Sequence, residues 1–175
     1  MRMSDHIEPV YQGKIIQLDI ESITMPNGVP VELEIVRHPG GAAIVALDSD
    51  NRVCLLRQYR HAAGGWLWEL PAGKLEPGEP PETTAARELI EEAGLQASRW
   101  ETLGKFIATP GFCDEIIHLF LAQDLREVDS QPEVHELFEV HRIPLATAIG
   151  QVYDGTIFDA KTMLGLTLAA QRLGL

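Results

Sequence analysis

Apolar and polar positions divide the chain into short extended runs, one strongly amphipathic segment, further extended runs and two closing helical patterns. Val10 to Val36 reads as two extended runs on either side of Pro26-Asn27-Gly28, a turn signal. Ala42 to Leu47 and Arg52 to Gln58 are apolar runs separated by Asp48-Ser49-Asp50-Asn51, a hairpin-like arrangement. Trp66 to Leu70 is a short apolar run that stops at Pro71, and Pro77-Gly78 makes a turn. Pro80 and Pro81 then stand where a first helical turn tolerates proline. Ala85, Ala86, Leu89, Ile90 and Ala93 form an apolar stripe, and Gly94 ends the helix. Strand-like runs follow at Thr102 to Thr109, Ile116 to Ala122 and Leu137 to Ile143, with helical patterns at Pro144 to Tyr153 and Ala160 to Leu173. No internal repeat or linker composition interrupts this order. It predicts an α+β protein in which residues 1–36 form an N-terminal β-extension and residues 37–175 the main domain.

Composition agrees with a packed core. The chain has 175 residues, 45% of them hydrophobic, and at that length roughly 70% of the unfolded surface can be buried. No run approaches the ~20 apolar residues of a membrane helix, and Met1 to Val10 lacks the apolar stretch of a signal peptide. Cys54 and Cys113 form no Cys-x-x-Cys pair. Together these features predict a cytoplasmic protein with no membrane partner. Net charge is −12, with 26 acidic against 14 basic residues. Affinity for a nucleic acid backbone depends on clustered Lys and Arg, so a nucleic acid partner is not expected.

The amphipathic helix carries the chemistry. Glu88, Glu91 and Glu92 lie on it and Glu79 stands at its start. Residues four apart share a helical face, so Glu88 and Glu92 point the same way. Arg87 can reach Glu91 at i+4, which is expected to leave Glu88 and Glu92 short of a positive partner. Hard divalent cations would supply that charge through oxygen ligands. A solvated acidic face is the ordinary reading of a Glu-rich helix, but here the surroundings form a long pattern. From Gly73 to Leu95 the chain reads GKLEPGEPPETTAARELIEEAGL. It resembles the Nudix box, G-x5-E-x7-R-E-U-x-E-E-x-G-U with U aliphatic, at every specified position: Gly73, Glu79, Arg87, Glu88, Leu89, Glu91, Glu92, Gly94 and Leu95.

This resemblance to the Nudix hydrolase superfamily implies an α/β/α sandwich with a mixed sheet. It also implies hydrolysis of a nucleoside diphosphate linked to another group, with Mg²⁺ as cofactor and Mn²⁺ able to substitute. By the same resemblance Glu88, Glu92 and the carbonyl of Ala72 are metal ligands. Glu91 is a ligand or stands behind the ligands, and Arg87 and Glu79 form an ion pair that orients the helix. Glu91 and Glu92 thereby join the catalytic set.

Neighbouring segments are similar to the ADP-ribose pyrophosphatase-like subfamily. They are Arg57-Gln58-Tyr59-Arg60, Glu69-Leu70-Pro71-Ala72-Gly73, Thr109-Pro110-Gly111-Phe112-Cys113-Asp114-Glu115, Ile116 to Ala122 and Asp159-Ala160-Lys161-Thr162. The similarity implies ADP-ribose as substrate, cleaved to AMP and ribose 5-phosphate by a homodimer. GDP-mannose or another NDP-sugar is the first alternative, and an ADP-ribose-sensing module without turnover the second. Such a module would be expected to lose box glutamates, and all are present. Arg60 is expected to grip a substrate phosphate and Glu115 to meet the terminal ribose, with Pro110 marking the substrate loop and Glu69 beside the metal. The subfamily's catalytic base comes from a loop before the last strand. Glu136 matches it best, with Glu133 the second choice. One departure is Leu33, which precedes Glu34-Ile35-Val36 where relatives often carry an aromatic or arginine. Leu33 stacks on a base less well than an aromatic ring, and Tyr11 or Trp66 could take that part.

The six histidines, His61 and His135 among them, show no His-Glu-x-x-His spacing, so a zinc site is not expected. Neither a P-loop nor a Rossmann fingerprint occurs, and the helix with Met163, Leu164, Leu166 and Leu168 reads as core.

Overall fold

The computed structural model describes residues 4–130 and 137–174. The chain divides into two compact units, Met1–Gly40 with Phe106–Ile116, and Gly41–Lys105 with Ile117–Leu175.

The first unit holds an antiparallel sheet of strands β1 (His6–Gln12), β2 (Gln17–Thr24) and β3 (Pro30–Arg37) in that order. β2 and β3 pair from Gln17 with Arg37 to Thr24 with Pro30 around the expected turn. There Gly28 takes φ +83° and donates its N–H to Met25 O at 2.7 Å. The sequence predicts two strands here and the structure has three. β1 is exposed along all of its length, so no in-out alternation marks it. Pro9, which cannot donate to a ladder, sits where the β1–β2 register shifts.

The second unit is organised around a four-stranded sheet of order β7-β4-β9-β8. Its strands are β4 (Gly41–Ala46), β7 (Ala72–Lys74), β8 (Leu95–Ile107) and β9 (Ile116–Glu127). β4 is buried at every residue and runs parallel to β9, from Gly41 with Ile117 to Ala46 with Ala122. Alternate residues serve opposite layers. Ile44, Ala46, Phe120 and Ala122 pack with Ala85 and Leu89 of helix α1 (Pro81–Ala93). Val45, Leu47 and Leu121 pack instead with α2 (Leu145–Tyr153) and α3 (Ala160–Leu173), through Leu145, Ala148, Leu166 and Ala169. Helices on both faces explain why β4 reads as an unbroken apolar run. Each fully buried leucine in these layers contributes about 1.5–3 kcal/mol.

A second sheet has the order β10-β5-β6, from β10 (Phe138–Pro144), β5 (Arg52–Arg60) and β6 (Gly65–Glu69). The hairpin expected between Ala42–Leu47 and Arg52–Gln58 is therefore corrected, because β4 and β5 belong to different sheets. The turn itself forms as its residues dictate. Asp48 Oδ1 accepts the N–H groups of Asp50 and Arg52, and Asn51 adopts φ +55°. Beyond an isolated bridge from Leu47 to Val53 the chain passes into the other sheet. Burial on both faces binds β4 to β9, and local turn chemistry carries no information about that partner.

α3 lies close on the sheet. A Cβ at its Gly165 would meet Leu70 Cδ1 at 2.7 Å and Val45 Cγ2 at 3.2 Å. No helix among the described residues is long and apolar enough to cross a membrane.

Candidate active site

The box residues gather in the second unit. α1 starts after Pro80, has Pro81 in its first turn, and ends at Gly94, whose φ of +61° suits a residue without a side chain. Glu92 falls on the same stripe as Ala85 and Leu89, three residues beyond Leu89, so the helix turns it inward and leaves it 2% exposed. A buried carboxylate needs hydrogen bonds. Glu92 Oε2 accepts the Ala72 backbone N–H at 2.8 Å. One turn earlier Glu88 reaches the neighbouring residue of the same strand, β7. A Cβ placed on Gly73 would overlap the Glu88 carboxylate, so only glycine lets that carboxylate lie against the backbone. Glu88 and Glu92 thus converge on Ala72–Gly73.

Arg87 organises the outer side of the helix. It donates to Glu79 through Nε at 3.3 Å and Nη2 at 3.2 Å, and its Nη1 bonds Glu88 at 2.7 Å and Glu91 at 2.8 Å. The expected Arg87–Glu79 pair is present. The expectation that Glu88 and Glu92 lack partners is corrected, since Nη1 reaches Glu88 as well as Glu91 and a main-chain N–H serves Glu92. Glu79 also accepts the Thr84 hydroxyl at 2.7 Å. Hydrogen bonds from Arg87 and then Thr84 lower its carboxyl to about 2. The same carboxylate, with Glu88 and Glu91, pushes the Arg87 guanidinium up, so this cation stays charged throughout.

Among the described residues no three His, Cys, Asp or Glu side chains form a ready-made metal cage. The donor set nevertheless suits a hard divalent cation. Two carboxylates converge on backbone that glycine leaves uncovered, where a main-chain carbonyl lies beside them. Glu88, Glu92, Glu91 and the Ala72 carbonyl are the groups that could hold such an ion.

Arg60 and Glu69 meet in the same unit. Arg60 Nε and Nη2 donate to Glu69 Oε1 and Oε2 at 2.8 and 2.9 Å, a two-pronged pair using two of its five N–H donors. Glu69 is 1% exposed and also accepts Lys161 Nζ at 2.6 Å. Burial would push its carboxyl up, but the Arg60 hydrogen bond and the Lys161 charge outweigh this and hold it below the ordinary value. Lys161 and its neighbour Asp159 were legible only as a similar segment without a role. Lys161 bonds Glu69 across 92 residues of sequence and Asp159 pairs with Lys161.

Glu115, Pro110 and Leu33 belong to the first unit. Val36 N–H donates to Phe112 O at 2.7 Å and Asp114 N–H to Val36 O at 3.2 Å, which lays residues 112–114 along β3. Asp114 further accepts Arg37 Nη1 at 2.9 Å and the His38 N–H at 3.0 Å, while Glu115 stands 3.4 Å from His38 Nδ1. Arg37 also pairs with Glu21. A cavity of about 330 Å³ in this unit is lined by Leu33, Ile35, Pro110 and Phe112, with Glu21 and Arg37 as charged wall. Leu33 and Pro110 were singled out in the sequence, Phe112 was legible only as part of the Pro110 loop, and Arg37 carried no signal. Tyr11 and Trp66 are both exposed, and Trp66 packs edge-on against Tyr59 with centroids 5.9 Å apart. Glu133, Glu136 and His135 lie outside the described residues, and His61 is exposed in a short 3₁₀ turn.

Carboxylates directed at a glycine-bearing strand by one helix, with layers of helix on either side of the sheet, are features of a defined class. The NUDIX domain model matches residues 37–164, and the chain belongs to the Nudix hydrolase family. Among its relatives, a protein of Bacillus subtilis (strain 168) named ADP-ribose pyrophosphatase is 40% identical over 157 residues, covering 89% of this chain and 85% of that protein. One of the same name from Mycobacterium tuberculosis (strain ATCC 25618 / H37Rv) is 43% identical over 162 residues, covering 91% and 78%. A crystal structure described as that of an ADP compounds hydrolase has the same fold, with TM-score 0.85 at 24% identity over 98% of this chain and 94% of the other.

Proposed function

We propose that the protein hydrolyses the pyrophosphate bond of ADP-ribose, giving AMP and ribose 5-phosphate, and that it does so with Mg²⁺. The observation that carries this reading is the convergence of Glu88 and Glu92 on Ala72–Gly73. The relatives named ADP-ribose pyrophosphatase, at 40% and 43% identity, support the substrate. A divalent ion held by Glu88, Glu92, the Ala72 carbonyl and Glu91 would neutralise pyrophosphate charge and activate water.

The chain's own residues do the rest. Arg60, oriented by Glu69, presents its remaining N–H donors to a phosphate oxygen. Glu115 accepts from hydroxyls of the terminal ribose, and the Pro110 loop borders the nucleoside. Glu136 takes the proton from the attacking water. The reading includes a cytoplasmic homodimer joined through the β1–β3 sheet, because exposed Ile7, Val10 and Tyr11 leave that sheet with apolar surface to cover.

The test is release of nucleoside monophosphate from a panel of NDP-sugars with Mg²⁺, with and without chelator. AMP from ADP-ribose at the highest kcat/KM, abolished by chelator, is the expected result. Preferred release of GMP from GDP-mannose would replace the substrate and leave the reaction class standing. Tight ADP-ribose binding without turnover would overturn the enzyme reading.

A further inference from the structure

An ion network around the buried Glu69 carboxylate joins the start of α3 to the strand that leads into the site. Asp159 caps α3, accepting Thr162 N–H at 3.0 Å and Thr162 Oγ1 at 2.5 Å. Thr162 is wholly buried, and its Oγ1 accepts the Leu70 N–H at 2.9 Å. Lys161 lies between two carboxylates, 2.6 Å from Glu69 Oε2 and 3.1 Å from Asp159 Oδ2, with only 17% of its side chain exposed. Glu69 thus has two cations, Arg60 bonding both of its oxygens and Lys161 sharing Oε2 with Arg60 Nη2. Two cations and two anions balance in this network, and each carboxylate oxygen of Glu69 has a donor.

We propose that Lys161 is a positioning residue for substrate binding: by bonding the Glu69 Oε2 atom that also takes Arg60 Nη2, it fixes the carboxylate and with it the direction of the Arg60 guanidinium. A carboxylate as buried as Glu69 keeps its charge only while cations and donors surround it. Without Lys161 the Oε2 atom relies on Arg60 alone, and the carboxylate can follow the arginine into solvent or rotate to regain a donor. Either movement re-aims the three N–H donors that the Arg60–Glu69 fork leaves over. Precision at that range matters because a displacement of about 1 Å is enough to lose a hydrogen bond. Thr162 Oγ1 still accepts the Leu70 N–H when Lys161 is replaced, so the loss is expected to fall on the side-chain pair rather than on the strand.

The inference rests on the reading that Arg60 binds a substrate phosphate, and the experiment separates the two. Steady-state kinetics on ADP-ribose are measured for wild type, K161M, K161R, R60A and R60A/K161M, with thermal melting of each. Removing Lys161 is expected to lower kcat/KM roughly tenfold, mostly through KM. K161R, which keeps a cation that can reach both carboxylates, is expected to restore most of that loss. R60A should raise KM, and adding K161M to it should cost nothing further. If R60A leaves KM unchanged, the phosphate role of Arg60 fails whatever Lys161 does. If R60A raises KM but K161M does not, or if the two losses are additive, the positioning role is overturned while the reading of Arg60 stands. Should K161M fail to fold, K161Q, which keeps a donor without the charge, takes its place. Failure of both to fold would make Lys161 a purely structural residue and overturn the inference.

Discussion

The backbone N–H of Ala72 donates to Glu92 Oε2 across 2.8 Å, joining the buried face of α1 to the strand that carries Gly73. The carboxylate therefore has two duties, one to the main chain and one to the proposed metal. Glu92→Gln separates them, because the amide keeps an oxygen that can accept the same N–H while losing its charge. Turnover at saturating Mg²⁺ should fall by at least about 10²-fold with the fold intact by circular dichroism. Near wild-type turnover would remove Glu92 from the ligand set.

Gly73→Ala tests the convergence from the other partner. The added methyl overlaps the Glu88 carboxylate, which must swing away or push β7 from α1. Overpacking of this kind costs about 1–3 kcal/mol. The variant should melt earlier and require a higher Mg²⁺ concentration for half-maximal activity. An unchanged metal requirement would show that Glu88 need not lie against this backbone.

Glu79 sets an acid limit on stability. Its carboxyl is depressed from 4.5 to about 2, chiefly by hydrogen bonds from Arg87 and then Thr84. A carboxylate with a lowered folded-state value stabilises the fold fully above its unfolded value and loses that contribution as pH falls through the folded one. The contribution should therefore disappear between about pH 4.5 and pH 2. Glu79→Gln should melt below wild type at neutral pH and converge with it at the acid end. Parallel melting curves over the whole range would contradict the assignment.

The general base is tested by exchange at two positions. Glu136→Gln should lower kcat by roughly 10²–10⁴-fold with little effect on KM, the size of a general-base contribution. Glu133→Gln should be mild. A crippling effect at Glu133 with a harmless one at Glu136 would move the assignment three residues along the loop. If neither matters, the base lies elsewhere.

Local chemistry was legible where one segment determines it. Pro81 and Gly94 bound α1 within the range that their backbone preferences imply, and the box spacing places Glu88 and Glu92 on the β7 side of the helix. β1 escaped notice because a strand exposed at every residue has no alternation to read. The β4–β5 hairpin was misread because Asp48 and Asn51 make a genuine turn, while sheet membership is settled by β9, whose Ile117 pairs with Gly41, 76 residues earlier. At the site, helical spacing paired Arg87 with Glu91 and the box resemblance paired it with Glu79, but neither pointed to Glu88. Arg87 Nη1 lies between Glu91 and Glu88, a bifurcation that helical spacing leaves open. Phe112 and Arg37 carry no spacing signal, since their neighbours come from strands far apart in the chain.

The Glu69–Lys161 contact closes a segment of 92 residues, and that separation has a consequence for synthesis. A chain emerging from the ribosome carries Glu69, Arg60 and the whole box long before Lys161 and Thr162 exist. Until then the Leu70 amide has no hydroxyl to bond and Glu69 has one cation in place of two. A nascent chain released before α3 emerges would hold every box glutamate yet lack the clamp on the segment leading into them. The bonds at Leu70 and Glu69 can therefore form only once the start of α3 has been made, which sets the closing of this corner of the fold late in synthesis.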